Sequence, residues 1–420
     1  MKYEENSIAG CDPFGHGTHI AGLIGGTGLL SADAQLGTLP GAGVFSVRVL
    51  NEQGGGVISS VIAGLDWVLN HSDEYNIRAV NLSLGQLPGE SVDTDPLVLA
   101  VNAVWDSGVV VIASAGNYGR DGDFTITSPG TSPKIITVGS LTDNGTGMDF
   151  TDDYVSSYSS VGPTVIDGYL KPDLVAPGNR LFAAMGTNAK LMRDLTDRTV
   201  EQSYLELSGT SMAAGVVSGA VAVLLSNDPT LSPATVKARL MLSARQIDGI
   251  PTSTGAGVLD LRAALAETGH MTVEALSPKL SRSGKNNVIV IEGTSSLWNH
   301  AHWSNENVWG ITSYVNGDLW SDEELWEDSQ ITANRYLWAN RYLWANRYLW
   351  ANRYLWANAA SKGDTHKFCE VTRKQGKKKK HHKKKKKSSE CIPPPRLYDN
   401  GAFRTQLNDD ESLSVGLENG

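Results

Sequence analysis

Over the first 266 residues, short apolar runs alternate with stretches whose apolar positions recur at helical spacing. That alternation predicts α/β architecture, a parallel sheet with crossover helices on both faces. Strands are expected at 44–50, 79–84, 109–114 and 135–138, and helices at 57–70, 96–106, 210–225 and 233–244. Ser232-Pro233 supplies the start signal of the last helix. The pattern closes near Gly257-Val258-Leu259-Asp260, so residues 1–266 are expected to form one domain.

From 267 the pattern changes. Residues 267–332 form a Trp-rich extension, and most of the eleven tryptophans lie between Trp298 and Trp356. Residues 333–358 hold four copies of Ala-Asn-Arg-Tyr-Leu-Trp. A six-residue period drifts around a helix by about 120° per copy, whereas a strand would place Asn, Tyr and Trp on one face. Identical copies read as a tandem duplication, either a low-complexity spacer or an aromatic surface for carbohydrate or a cell surface. Residues 359–420 carry a Lys/His run and Pro393-Pro394-Pro395, and read as disordered.

Charge separates tail from body. The net charge is −9, yet nine lysines sit at 377–380 and 383–387, so the rest of the chain is about twice as acidic as the whole. An acidic body argues against a specific nucleic-acid partner, because phosphate binding draws on Lys and Arg. The lysine run reads either as a polyanion-binding tail or as translated A-rich sequence after a frame slip. Cys11, Cys369 and Cys391 are too few and too scattered for a disulfide framework or a Cys zinc site. No run of 18 apolar residues predicts a transmembrane segment, and the first ten residues lack the apolar core of a signal peptide. Oligomeric state is not legible.

Three strings carry candidate chemistry. In Gly15-His16-Gly17-Thr18-His19, small neighbours let a substrate backbone approach an imidazole. In Ser208-Gly209-Thr210-Ser211-Met212-Ala213-Ala214, a serine opens a Gly/Ala/Val-rich helix. In Ser114-Ala115-Gly116-Asn117, a carboxamide follows an apolar strand. A base, a nucleophile and a hydrogen-bond donor on three element ends suit acyl transfer. Plainer readings stand beside these: His16 and His19 as a His-x-x-His metal pair or His19 as a packed helix residue, Ser211 as a helix cap, Asn117 as a turn residue.

Together and in this order, the strings resemble the subtilisin-like serine peptidases, or subtilases, over residues 10–266. Asn81-Leu82-Ser83-Leu84-Gly85, Ser157-Tyr158-Ser159-Ser160-Val161-Gly162 and Lys171-Pro172-Asp173-Leu174-Val175-Ala176-Pro177-Gly178 add to the likeness. The resemblance implies a serine endopeptidase acting on proteins or peptides and exported from the cell. Carried over, His16 is the general base, Ser211 the nucleophile and Asn117 the oxyanion donor. Ser83, Leu84, Gly85 and Ser114, Ala115, Gly116 line the substrate cleft and primary pocket. The likeness implies no required cofactor and allows calcium for stability, although the Asp149 to Asp153 segment reads equally as a solvated turn and no metal is assigned. At Pro129 the family carries a cis peptide, whereas trans is the default of any X-Pro bond.

Two departures matter. The family's catalytic aspartate follows a first core strand some thirty or more residues before the histidine, and only fifteen residues precede His16. Asp12 is close in sequence but matches a position outside the triad. The expectation is therefore an N-terminally incomplete sheet, a gene fragment or mis-called start, and impaired turnover, with a non-catalytic peptide or surface binder as the alternative. Gly215 stands where the family usually has proline, which predicts a looser start to the Ser211 helix.

Overall fold

The computed structural model describes residues 12–147, 149–200, 203–271, 274–283, 288–292, 402–407 and 413–417. The hexapeptide repeats, the Lys/His run and all but the start of the Trp-rich extension lie outside these residues.

Parallel strands Ala79–Leu82, Val110–Ser114, Ile136–Thr142 and Leu174–Pro177 make the central sheet, with Tyr154–Val155 pairing antiparallel at one end. Every residue of Val110–Ser114 and Ile136–Thr142 is buried, as a sheet covered on both faces demands. Helix Thr210–Asn227 lies across all four parallel strands. It is apolar on every side and long enough to cross a bilayer by length and composition, but here Val217, Val221 and Leu224 are buried in the domain core. Each such side chain contributes about 1.5–3 kcal/mol. The helix is continuous from Thr210, so the looser start expected from Gly215 is corrected. A Cβ at Gly215 would stand 3.3 Å from Ile20 Cγ2, and glycine lets the His16–Gly25 helix pack close there.

Helix Pro96–Asp106 matches its expected bounds because its ends are written locally. Asp95 Oδ1 accepts from Leu97 N at 2.9 Å and Val98 N at 3.3 Å, proline occupies the first turn, and Leu97, Val98, Val101, Val104 and Trp105 form the buried stripe. Helices Ile58–Tyr75 and Pro233–Leu242 are likewise close to expectation.

Residues 44–50 are a correction. They carry the alternation of a strand, and Val47 and Val49 face the Gly64 backbone of the neighbouring helix, yet no ladder forms beyond an isolated bridge of Leu50 to Gly56. Ala79–Leu82 pairs on one side only among the described residues. Alternation encodes a face, whereas a strand also needs a neighbour's backbone.

The domain also runs past 266. Met271 and Ala275 are buried, Arg239 Nε donates to Gly269 O, Trp105 Nε1 donates to Glu274 Oε2, and Leu170 N donates to Pro278 O. Few apolar residues mark this strap because polar bonds hold it. Strands Lys279–Ser283 and Val288–Glu292 follow and pair antiparallel. Within the tail expected to be disordered, Ala402–Leu407 and Leu413–Leu417 pair antiparallel, and the first meets Gly56–Val57. Composition averaged over sixty residues hides two short alternating runs.

Candidate active site

The parallel strands deliver their carboxyl ends to one edge of the sheet, where α/β folds place their sites. Leu82 leads into Ser83-Leu84-Gly85, Ser114 into Ala115-Gly116-Asn117, and Pro177 into Gly178. A Cβ on Gly178 would stand 2.8 Å from Gly209 O and 3.0 Å from Ala213 Cβ, so glycine lets this strand end press against the start of the Ser211 helix. Gly209 N donates to Gly178 O at 2.8 Å.

Polar bonds then fix the strand ends to that helix. Asn117 Oδ1 accepts from Thr210 N at 2.9 Å and from Thr210 Oγ1 at 3.0 Å, and Gly116 N donates to Thr210 Oγ1 at 3.2 Å. With its oxygen committed to the helix, Asn117 has only its NH₂ to offer elsewhere. Ser83 Oγ donates to Ser211 O at 2.8 Å and accepts from Asn81 Nδ2 at 2.8 Å. Ser218 Oγ donates to Asn81 Oδ1 at 2.9 Å, closing a path from the Asn81–Ser83 segment back to the helix. Thr210 lay inside the motif quoted from the sequence, but nothing in its spacing marks it as the residue that orients Asn117.

His16 sits at the N-terminus of the His16–Gly25 helix, which packs directly on the Ser211 helix. Gly15 holds φ at 106° there, and a Cβ on it would collide with Met185 Sδ and Ala189 Cβ, so only glycine admits the turn. Burial lowers the His16 pKa to about 4, opposed by the Asp12 charge, and leaves the ring neutral at pH 7. Its Nε2 is buried without a hydrogen-bond partner among the described residues. Asp12 is occupied elsewhere: Oδ1 accepts from Gly15 N at 2.9 Å, and Oδ2 from Thr18 N at 2.8 Å and Thr18 Oγ1 at 2.9 Å. It caps the helix that carries His16.

His19 is wholly buried in the packing of its helix. Its Nε2 donates to Leu205 O at 2.9 Å and Leu181 O at 3.2 Å, tying the His16 helix to the antiparallel strands Leu181–Ala184 and Tyr204–Leu207. Burial lowers its pKa to about 4 as well. Among the described residues no group of three or more His, Cys, Asp and Glu is placed to hold a metal ion. Asp149 accepts from Thr151 N and Oγ1, and Asp153 pairs with Arg245. The Ser128-Pro129 peptide is cis, against the X-Pro default.

The two histidines set an acid limit. Both rings take up protons near pH 4 in the fold and near 6.5 unfolded, so between those values the unfolded chain binds more protons. Stability is fully present above pH 6.5 and drains away as pH falls toward 4, by on the order of 3 kcal/mol per ring. Urea midpoints at pH 7 and 4.5 are expected to differ, and His19→Gln, which keeps a donor for the carbonyls, is expected to shrink the difference. Equal shrinkage-free slopes in both proteins would contradict the assignment.

The model of the Subtilase family matches residues 3–257, more than half of the chain. The chain belongs to the subtilase family. It is 37% identical to "Serine protease AprX" of Bacillus subtilis (strain 168) over 255 residues, covering 59% of this chain and 57% of that protein. Identity to "Subtilisin DY" of Bacillus licheniformis is 32% over 254 residues, covering 60% of this chain and 78% of that one. A cold adapted subtilisin-like serine proteinase of known structure shares 32% identity at a TM-score of 0.43, over 59% of this chain and 74% of that one. The subtilase chain described here thus spans little more than half of AprX. In this subtilase the Asn117 and Ser211 strings are hydrogen-bonded to each other at the strand ends, and the helix that begins at His16 packs on the Ser211 helix.

Proposed function

We propose that this subtilase is a serine endopeptidase that hydrolyses peptide bonds in proteins or peptides through an acyl-enzyme on Ser211. The observation that carries the reading is the lock between Asn117 and Thr210, 2.9 and 3.0 Å, which keeps a carboxamide beside the first turn of the Ser211 helix. Neutral His16 takes the Ser211 proton as the hydroxyl attacks the carbonyl carbon, then returns it to the leaving amine. Negative charge gathers on the carbonyl oxygen, where the Asn117 NH₂ donates and the helix N-terminus adds its field. An extended substrate pairs its backbone with Ser83-Leu84-Gly85 and Ser114-Ala115-Gly116. No cofactor takes part, and export from the cell belongs to the same proposal.

Turnover by these 420 residues is slow in this reading, because Asp12 is spent on the helix cap and, among the described residues, no carboxylate bonds to His16. Loss of that carboxylate alone costs about four orders of magnitude in serine proteases, subtilisin among them, a figure taken from those enzymes and not from these distances. The same observation favours a second reading, a peptide binder without catalysis. A fluorophosphonate separates the two: a single adduct mapped to Ser211 is the expected result, and a folded chain that stays unmodified at Ser211 sinks the peptidase reading.

A further inference from the structure

We infer that Asn81 is a positioning residue: it holds the helix carrying Ser211 in register with the strand end where the peptide lies, and so sets the rate of attack rather than the strength of binding. The inference rests on the proposed function, which makes Ser211 the nucleophile and Ser83-Leu84-Gly85 an edge of the cleft. The need for such a grip lies in the helix itself. Thr210–Asn227 buries Ala213, Ala214, Val217, Val221 and Leu224. Apolar burial is non-directional, so it holds the helix against the sheet without fixing its slide or its rotation. The bonds of Asn117 and Gly178 grip the start of the helix, at Thr210 and Gly209. Asn81 adds a grip two turns further along.

Both ends of the Asn81 carboxamide reach the helix. Its Nδ2 donates to Ser83 Oγ at 2.8 Å, and Ser83 Oγ donates to Ser211 O at 2.8 Å. With the amide on one lone pair of that hydroxyl, its single proton is left for the carbonyl of Ser211. At the other end, Asn81 Oδ1 lies 2.9 Å from Ser218 Oγ, which shares its proton with Ala214 O at 2.8 Å. Ser218 follows Ser211 by seven residues, about 10 Å along the axis and on the same face. One side chain thus fixes both the height and the rotation of the helix. Asn81 cannot drift with it, because Asn81 is in register with Ile112 and Leu82 with Ala113 in the parallel ladder. Losing the Asn81 side chain leaves the cleft edge on the sheet and frees the nucleophile's helix to shift against it. A misplacement of about 1 Å between reacting groups costs up to about 10²-fold in rate.

The test uses the 420-residue chain and a peptidyl diphenyl phosphonate, with intact mass following the displacement of phenoxide by Ser211 Oγ. Varying the phosphonate separates the rate at saturation from the half-saturating concentration. Asn81→Ala, with folding checked by its circular dichroism melt, is expected to slow the saturated rate about tenfold and to leave the half-saturating concentration within about twofold. In a Ser83→Ala background, where the relay to Ser211 is already cut, adding Asn81→Ala is expected to cost less than about threefold more. An unchanged saturated rate in folded Asn81→Ala overturns the inference. So does a loss confined to the half-saturating concentration, or a full further tenfold in the Ser83→Ala background. Where Asn81→Ala does not fold, Ser218→Ala decides: it cuts the second arm with a good helix former, and is expected to slow the saturated rate about threefold, whereas no loss overturns the inference. A small fluorophosphonate separates the two levels of failure. If it modifies Ser211 in the natural chain while the variants react as fast as that chain, the positioning inference alone falls; if nothing modifies Ser211, the peptidase reading falls and this inference with it.

Discussion

Asp173→Ala is expected to lower the stability of the domain by about 3–5 kcal/mol, a large share of the roughly 5–15 kcal/mol that a domain commands. Lys171, Asp173 and Lys237 are wholly buried. Asp173 Oδ2 accepts from Lys171 Nζ at 2.7 Å and Thr137 N at 2.7 Å, while Oδ1 accepts from Ser277 Oγ at 2.5 Å and lies 3.2 Å from Lys237 Nζ. Lys237 Nζ also donates to Pro133 O at 2.8 Å and Ile135 O at 3.1 Å. Removing the carboxylate leaves two ammonium groups in a dry interior with only carbonyls and a hydroxyl to face. It also frees the strap that Ser277 anchors. Lys171→Met is expected to cost less, because Asp173 keeps Lys237 and one of the two buried ammonium groups that share its single carboxylate is gone.

The same cluster has a pH signature. Burial pulls the Lys171 pKa down to about 7, against 10.5 in the unfolded chain, with Asp173 opposing and Lys237 assisting. Across that window the unfolded chain binds more protons, so stability climbs as pH rises from 7 toward 10.5. Urea midpoints measured over this range are expected to rise for the natural chain and to rise less for Lys171→Met. A midpoint for Asp173→Ala within about 1 kcal/mol of the natural chain would contradict the account of the cluster.

Asn117→Leu is expected to slow acylation of Ser211 by an activated peptide ester about 10²–10³-fold, the loss known for such a donor in subtilisin and not a value built from these distances. Leucine keeps the volume and removes the amide that would meet the developing oxyanion. Thr210→Val tests the same point through the residue that holds Asn117. It deletes the 3.0 Å hydroxyl contact but keeps the 2.9 Å backbone one, so the expected loss is smaller, about tenfold. Equal losses in the two variants would mean that Asn117 acts as a structural tie only.

How much of this was written in the sequence depends on how local the cause is. The Pro96–Asp106 helix was legible to the residue because its cap Asp95, Pro96 and the apolar stripe all lie within or next to it. The strings around His16, Asn117 and Ser211 were legible because close backbone approach demands small residues, and polar residues set among small ones stand out. Lys171 and Lys237 were not, since lysine reads as solvated unless its burial partner, here Asp173 and distant carbonyls, is known. Residues 44–50 show the converse, a strand's alternation without a strand's pairing.

The central claim is that His16, Ser211 and Asn117 surround one reacting centre. It is tested most directly by a crystal structure of the chain phosphonylated at Ser211. The account predicts His16 Nε2 and Asn117 Nδ2 each about 3 Å from an oxygen of the adduct. An adduct whose oxygens face solvent, with both nitrogens beyond hydrogen-bonding reach, would contradict it.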